Sequence, residues 1–303
     1  MPLESGLRSA ENPVVKWKRV TLVGVGLLGG SLGLALRSRG LAGRVVGYVR
    51  RPVSISEAVR VGAVDAATLD LAEAVAEAEV VVFCTPIGQM RSLAERLVPL
   101  LAPGTILTDV GSVKASVVRD LEPLCQRAGA HFVGSHPMAG SEKTGVGAAR
   151  ADLFADSVTV VTPTRQSDRR ALRAVKGLWT AVGSRVLSLA PGEHDELVSR
   201  SSHLPYLAAA TLARLVLDPR RPKQQATLCA NGFRDTTRVA SGSSEMWRDI
   251  ALANRRPIAK GLEELIRGLQ RVRRLILSGN ARRLEVFLQE ARNRRDRWQG
   301  GGR

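Results

Sequence analysis

Cysteine and long apolar runs are scarce in this 303-residue chain. The three cysteines, Cys84, Cys125 and Cys229, are far apart and lie among apolar residues, which predicts reduced, buried thiols. This spacing does not suit a disulfide framework or a metal site. No apolar run reaches the roughly 18 residues of a membrane span, and the N-terminal segment lacks the apolar core of a signal peptide. We therefore expect a cytoplasmic protein that binds no metal.

Acidic and aromatic residues are also few. The chain has 45 Lys and Arg against 28 Asp and Glu, a formal net charge of +17. Such an excess can attract nucleic acid. The arginines are spread over the whole chain, however, and only four Trp, two Tyr and five Phe could stack on bases. We therefore do not expect nucleic acid as a partner, and a few of these cations suffice for anionic small molecules.

Strand-like and helix-like segments alternate between residues 18 and 190. This pattern predicts an α/β fold with a doubly wound, Rossmann-type parallel sheet of seven or eight strands, including one over HFVGSHP (131–137). After the second strand, at 44–49, Ser54 and Glu57 predict a capping box for the next helix.

Strand signals end after Pro191-Gly192. Apolar residues then recur every three or four positions, which predicts an all-helical domain over 191–297. Its apolar faces outnumber those that one small bundle can bury, so we expect this domain to form a homodimer. Residues 1–17 and 298–303 are predicted to be flexible termini.

The stretch VTLVGVGLLGGSLGLALRSRG (20–40) places a glycine turn between a strand and a helix. Gly24, Gly26 and Gly29 form G-x-G-x-x-G: the first permits the tight turn, the second lets backbone approach a pyrophosphate, and the third packs helix on strand. Free N–H groups at the helix start, Leu27 and Leu28, would bind phosphate. The context predicts a dinucleotide site, the alternative being a purely structural turn.

The end of the second strand indicates which nicotinamide is bound. NAD sites normally carry an Asp or Glu there, about 20 residues on. This chain has Val49 followed by Arg50 and Arg51. Valine cannot accept a hydrogen bond from the ribose 2′-hydroxyl, whereas two guanidinium groups can bind a 2′-phosphate. NADP is therefore favoured over NAD; use of both, or arginines that merely face solvent, are the alternatives.

Four histidines are the candidates for an acid or base near neutral pH. His136 lies in GSHPMAGSEKTG, a glycine-rich loop after a strand, at the sheet edge where ligands bind in such folds. His203 lies in SSHLP, in a helix that Pro205 interrupts. His131 is interpreted as structural and His194 as a surface or capping residue.

Seven motifs give the chain a family resemblance. The segments GVGLLGGSLGLAL, FCTPI, TDVGSVK, GSHPMAGSEKTG, SHLP, GFRDTTRVA and MWRDI resemble, in order and spacing, the prephenate and arogenate dehydrogenases of tyrosine biosynthesis. The resemblance runs from about residue 18 to about residue 290. It implies oxidative decarboxylation of a cyclohexadiene acid, with hydride passing to a nicotinamide and the ring carboxylate leaving as CO2.

The resemblance also implies roles for individual residues. His136 would accept the hydroxyl proton, Ser112 would hydrogen-bond near the hydroxyl and the nicotinamide, and Arg238 would anchor a substrate carboxylate. Ser112 as a helix N-cap, Arg238 as a surface residue and His136 as a structural residue are the alternatives. The further positions implied are His203, Ser141, Glu142, Arg234 and Trp247 for substrate, and Cys84, Thr85 and Pro86 for cofactor.

The sequence is compatible with another substrate and with other classes of function. Lys143 favours dianionic prephenate, whereas Glu142 could match the ammonium group of arogenate. A regulator that senses nucleotides without catalysis is a second class, and a β-hydroxy-acid dehydrogenase is a third. The third would need a lysine base, and Lys223 and Lys260 lie in poor contexts for one. No regulatory domain is evident, so we expect feedback by tyrosine to act by competition at the active site.

Overall fold

A six-stranded parallel sheet forms the first half of the molecule, of which the computed structural model describes residues 16–141, 143–220 and 222–298. The spatial order is β3-β2-β1-β4-β5-β6, so it reverses direction between β1 and β4. Ligands bind at such a switch point in open sheets of this kind. The strands are β1 (Trp17–Val23), β2 (Ala42–Tyr48), β3 (Ala66–Thr68), β4 (Val80–Phe83), β5 (Ile106–Asp109) and β6 (His131–Phe132).

Helices cover both faces of this sheet. Successive side chains of β4 point to opposite faces, and all four are buried. Val82 joins a core cluster with Leu32 and Trp179, whereas Phe83 joins a second cluster with Leu97 and Leu121. The helices are α1 (Leu27–Ser38), α2 (Pro52–Arg60), α3 (Leu71–Val75), α4 (Ile87–Leu97), α5 (Ala115–Arg127) and α6 (Arg169–Ala181).

The segment 131–137 is two strands in two sheets. β6 ends at Phe132, and β7 (Gly134–Pro137) pairs antiparallel with β8 (Val158–Thr162), which pairs in parallel with β9 (Arg185–Ser188). The expected single sheet of seven or eight strands is therefore wrong. The split has a local cause, because the N–H of Ser135 donates to the Asp109 carboxylate at 3.1 Å and so makes no bond to a strand carbonyl of the large sheet.

Three smaller expectations are corrected. Ser54 and Glu57 form no capping box, because α2 already begins at Pro52, whose fixed φ suits a first helical position. Trp17 belongs to β1 and the core, not to a flexible terminus; residues 1–15 and 299–303 lie outside the described residues. Of the cysteines, only Cys125 is fully buried, since Cys84 and Cys229 are partly exposed.

The described residues after 190 contain helices and no strand. A π-helical turn, Ser199–His203, joins the first two helices of this half. Pro205 follows in the first turn of the second helix, and because proline lacks an N–H the chain widens there without breaking. Among the described residues no helix is both long and apolar enough to cross a membrane. The helices are α7 (Pro191–Val198), α8 (Leu204–Val216), α9 (Lys223–Thr227), α10 (Asn231–Thr237), α11 (Ser244–Ala253), α12 (Arg255–Leu277) and α13 (Ala281–Arg297).

Candidate active site

Three glycines shape the turn between β1 and α1. Gly24 has φ +97°, a conformation that side-chain-bearing residues rarely adopt. A Cβ on Gly29 would lie 2.1 Å from the carbonyl oxygen of Gly24, so this residue lets α1 approach the turn. A Cβ on Gly26 would meet no atom within 4 Å, because this backbone faces open space. The turn thus exposes backbone at the start of a 12-residue helix, where unpaired N–H groups favour an anion.

A cleft of about 630 Å³ runs over this turn. Its wall contains seven of the predicted cofactor residues, whereas Leu27, Leu28 and Gly29 form the adjoining first turn of α1. Gly145 and Val146, from the loop after β7, also line the cleft. The exposed turn, the helix start and the cationic end of the cleft fit a dinucleotide. The seven residues are Gly24, Gly26, Arg50, Arg51, Cys84, Thr85 and Pro86.

The cationic end of the cleft lies just after β2. Val49 is buried, whereas Arg50 and Arg51 are exposed and border the cleft together with Ser54. Glu57, which the sequence pattern assigned to a cap, borders the cleft as well. The structure therefore places two guanidinium groups and one carboxylate along the same wall.

A buried ion pair underlies the second part of the site. Lys114 and Asp109 are both fully buried, and the ammonium group bonds the carboxylate and the carbonyl oxygen of Ser135, the latter at 2.8 Å. Asp109 also accepts from the N–H of Gly111 at 2.8 Å. Burial lowers the pKa of Lys114, an effect that Asp109 opposes. The pair fixes β7, and with it the neighbouring His136, to the carboxyl end of β5.

His136 lies on β7 and contacts a histidine that the sequence pattern misplaced. Its Nδ1 is 2.8 Å from Nε2 of His194, whose Nδ1 is 2.8 Å from a carboxylate oxygen of Asp195. The interpretation of His194 as a surface or capping residue is wrong. Because α7 packs against α5 and β8, its residues 194 and 195 face inward, and His194 is fully buried.

The environment of His136 keeps its ring neutral. Burial lowers its pKa well below 6.5, and the neighbouring His194, Lys114 and His203 lower it further. A neutral imidazole near pH 7 can accept a proton, which is the property that a general base needs.

His203 is the second buried histidine of the site. Its Nδ1 is 3.1 Å from Nδ2 of Asn254, which also donates to the backbone carbonyl of Asp195 at 2.8 Å. Since an amide nitrogen only donates, His203 Nδ1 accepts, and the neutral ring carries its proton on Nε2. This Nε2 is buried and makes no well-aligned hydrogen bond with the described residues. Burial lowers the pKa of His203 to about 4, against the charge of Asp195. The Ser112 backbone also hydrogen-bonds this ring and raises its pKa. The site therefore holds a buried N–H donor with no well-aligned acceptor among the described residues.

Aromatic side chains stand beside this donor. Trp247 lies edge-on to His203, with ring centroids 6.1 Å apart, and stacks on Tyr206 at 3.7 Å. Ser112 is half-buried between β5 and α5. It does not cap α5, because that helix begins at Ala115 without a side-chain cap. Trp247 and Ser112 thus lie where a ligand next to His203 could reach them.

The remaining predicted residues are less tightly held. Arg234 is exposed on α10, and Arg238 is exposed in the turn Arg238–Ser241, which packs on α8. Ser141 is exposed in the loop after β7, and Glu142 lies outside the described residues.

Sequence patterns missed several residues of this arrangement. Asp109 and Lys114 lay within TDVGSVK, and Asp195 followed a histidine in EHDELV, but each motif was interpreted through a single residue. Tyr206 and Asn254 stand within helical patterns and carried no separate signal.

Comparison with protein families identifies the chain. It matches the family description "Prephenate dehydrogenase, nucleotide-binding domain" over residues 32–188 and "Prephenate dehydrogenase, dimerization domain" over residues 190–290. The chain belongs to the prephenate dehydrogenase family. Members of this family are nicotinamide-dependent oxidoreductases, so the predicted resemblance and the predicted Rossmann-type fold are confirmed.

Individual relatives agree with this family. The prephenate dehydrogenase of Bacillus subtilis is 33% identical over 283 residues, covering 91% of this chain and 75% of that protein. The cyclohexadienyl dehydrogenase of Zymomonas mobilis is 30% identical and covers 92% and 95%. The solved prephenate dehydrogenase of Aquifex aeolicus, in complex with hydroxyphenyl propionate and NAD+, superposes with a TM-score of 0.87 at 34% identity, covering 92% and 97%.

The glycine turn predicts different effects for two alanine substitutions. Gly26→Ala should weaken dinucleotide binding at least tenfold without unfolding the protein, because its Cβ would occupy open space that the ligand needs. Gly29→Ala should destabilise the fold by about 1–3 kcal/mol or more, since its Cβ would collide with backbone. Fluorescence titration with reduced nicotinamide dinucleotide and thermal unfolding measure the two effects. Unchanged binding by Gly26→Ala would contradict this account of the turn.

Proposed function

We propose that this member of the prephenate dehydrogenase family converts prephenate to 4-hydroxyphenylpyruvate and CO2, with NADP as the preferred oxidant. The observation that carries the proposal is the pair of buried, neutral histidines, one of them on the strand that Asp109 and Lys114 hold at the carboxyl end of β5. His136 can accept a proton, and the buried Nε2–H of His203 has no well-aligned acceptor among the described residues. Oxidation of a hydroxyl group on an anionic substrate needs both properties.

The residues of the chain divide the chemistry between them. A bound nicotinamide would supply the hydride acceptor. Hydride leaves the ring carbon that bears the hydroxyl, and the hydroxyl proton passes to His136. The bond between ring and carboxylate breaks, and its electron pair enters the ring, which becomes aromatic as CO2 leaves. Ser112 hydrogen-bonds the reacting hydroxyl.

Substrate binding is assigned to the helical half. The Nε2–H of His203 donates to a substrate oxygen, and Trp247 packs against the ring. Arg238, with Arg234 nearby in sequence, supplies a guanidinium group for a carboxylate, a pairing that is bidentate and charge-assisted. Ser141 lies in the loop after β7 and is assigned to border the substrate, a role that the family resemblance also implies for Glu142.

Arogenate is the second candidate substrate. The similarity to a cyclohexadienyl dehydrogenase supports it, since relatives under that name and under prephenate dehydrogenase match this chain almost equally well. Lys143, an exposed cation that follows Ser141 and Glu142, favours the dianionic prephenate.

The cofactor preference follows from the wall of the cleft. Arg50 and Arg51 offer two charges to a 2′-phosphate, whereas Glu57 alone could accept from a 2′-hydroxyl. NADP is therefore preferred, and NAD can also be used.

A homodimer through the helical half completes the proposal. On α12, Leu269 and Ile276 are 60% and 58% exposed, and on α13 Leu288 is 56% exposed. An apolar surface of this kind on two adjoining helices is typical of a protein interface.

One experiment tests the proposed reaction and the proposed base together. The protein should turn over prephenate faster than arogenate, and His136→Asn should lower kcat by about 10²–10⁴-fold while cofactor affinity stays unchanged. Steady-state assays with both substrates and both cofactors measure this. His131→Asn is the matched control, because His131 lies half-buried on β6, outside the cleft.

Arogenate turnover at least tenfold above prephenate turnover would reverse the substrate assignment, and an active His136→Asn would remove the base. The pH profile has a defined sign. Because its lowered pKa keeps His136 neutral below pH 6.5, kcat/KM should hold below that value and fall only at more acidic pH, where the base becomes protonated.

The second prediction concerns the cofactor. Replacing both Arg50 and Arg51 by alanine should lower kcat/KM for NADP by at least tenfold and that for NAD by less than about threefold, because each lost charge pair with the 2′-phosphate is worth about 1.5–3 kcal/mol. Arg60→Ala, on an exposed position of α2 outside the cleft wall, is the control. Equal losses with both cofactors would contradict the assignment of these arginines.

The third prediction concerns assembly. Light scattering should give twice the chain mass of 32.5 kDa. Replacing both Leu269 and Ile276 by glutamate should produce a monomer, since buried charges oppose association. Val59→Glu, on an exposed position of α2, should leave the mass unchanged. A monomeric unsubstituted protein would overturn the dimer.

A further inference from the structure

We propose that His194 and Asp195 are positioning residues that fix the tautomer of His136, leaving its Nε2 free to accept the substrate proton. The proposal rests on the proposed function only for the role of His136 as base. The hydrogen-bond chain itself is a property of the described structure, and neither residue was predicted as part of the site.

The chain of bonds begins at the Asp195 carboxylate. One oxygen accepts from the N–H of Lys114 at 2.7 Å and the other from the N–H of Ala115 at 2.9 Å, both at the start of α5. Backbone N–H groups only donate, and the positive end of the 13-residue α5 favours an anion. Asp195 is therefore held as a carboxylate, which can only accept hydrogen bonds.

Each following proton position is determined by the one before it. Because Asp195 only accepts, Nδ1 of His194 must donate to it across 2.8 Å. A neutral imidazole has one N–H and one lone pair, so Nε2 of His194 accepts. Nδ1 of His136, 2.8 Å away, therefore donates. The lone pair of His136 is left on Nε2, the nitrogen outside the chain of bonds.

The other titratable groups near His136 and His194 do not change this order of protons. Lys114 gives its ammonium protons to Asp109 and to the Ser135 carbonyl, and His203 is bonded through Asn254. Both groups disfavour a second positive charge on His136 before substrate is bound. When His136 accepts a proton, its Nδ1–H still donates to His194, so the order of the chain is kept.

Removing the carboxylate should release this constraint. In Asp195→Ala, Nδ1 of His194 loses its acceptor, so Nε2 of His194 no longer has to accept and His136 can carry its proton on either nitrogen. The fraction of His136 with a free lone pair on Nε2 then falls, and kcat falls with it. Asparagine would be a weaker test, because the Asp195 oxygen that accepts from His194 also accepts from the N–H of Lys114. In serine proteases, where one buried Asp orients one His, replacing that carboxylate lowers kcat by about 10⁴.

Substitutions of His194 provide a matched pair. In His194→Gln the amide oxygen can accept from His136 while the NH2 group donates to Asp195, so the order of protons is kept. His194→Leu removes both bonds at similar volume. We expect the glutamine variant to keep kcat within about tenfold and the leucine variant to lose about 100-fold or more. Both should bind the dinucleotide as the unsubstituted protein does.

The deciding measurement is the protonation pattern of the rings. Long-range ¹⁵N–¹H NMR distinguishes the two tautomers, and the chain has only four histidines to assign. We expect His136 protonated on Nδ1 in the unsubstituted protein and in His194→Gln, and a mixture of both tautomers in Asp195→Ala. Protonation on Nε2 in the unsubstituted protein, or equal loss of kcat in the Gln and Leu variants, would overturn the proposal.

The two proposals fail separately. Absence of turnover with prephenate and arogenate would remove the proposed function, while the NMR result, which needs no substrate, would still decide the tautomer. If Asp195→Ala does not fold because the first N–H groups of α5 lose their acceptor, the unsubstituted protein and the two His194 variants carry the test.

Discussion

The carboxylate of Asp195 joins the sheet half of the molecule to its helical half. It belongs to α7, yet its oxygens accept from the first backbone N–H groups of α5, at 2.7 and 2.9 Å. These N–H groups have no partner within their own helix. The helical half thus satisfies the start of a helix that covers the sheet, and the same residue holds His194 through its side chain and Asn254 through its backbone. All three buried histidines of the site, His136, His194 and His203, are oriented directly or indirectly by this one residue.

The ion pair of Asp109 and Lys114 imposes the second constraint. Removing two charges from water is costly, and it is tolerated only when hydrogen bonds satisfy the remaining donors and acceptors. Here the N–H groups of Gly111 and Ser135 donate to the Asp109 carboxylate. The carbonyl oxygen of Ser135 accepts from the Lys114 ammonium group. Meeting these requirements draws β7 away from the large sheet, so β7 pairs with β8 and turns His136 toward α7. The second sheet and the position of His136 thus have a common origin.

The difference between local requirements and tertiary contacts explains which features could be predicted from the sequence. The glycine turn was predictable because its requirements are local: Gly24 needs a positive φ, and Gly29 must approach the preceding turn. The strands with continuous apolar runs were predictable for the same reason. His194 was not, since its burial depends on how α7 packs against α5 and β8, which no periodicity within α7 encodes. The pairing of β7 was equally hidden, because a side chain of β5 determines it.

The residues assigned to the cofactor and those assigned to proton transfer lie in different environments. This difference affects how easily each set can be substituted. Arg50 and Arg51 are exposed at the end of the cleft, so an exchange there would have little effect on packing. His136, His194 and His203 are buried and share partners, so replacing one leaves another polar group without a hydrogen bond. Under the proposed assignments, cofactor preference can therefore change through exposed residues alone, whereas the orientation of His136 depends on several buried residues that must change together.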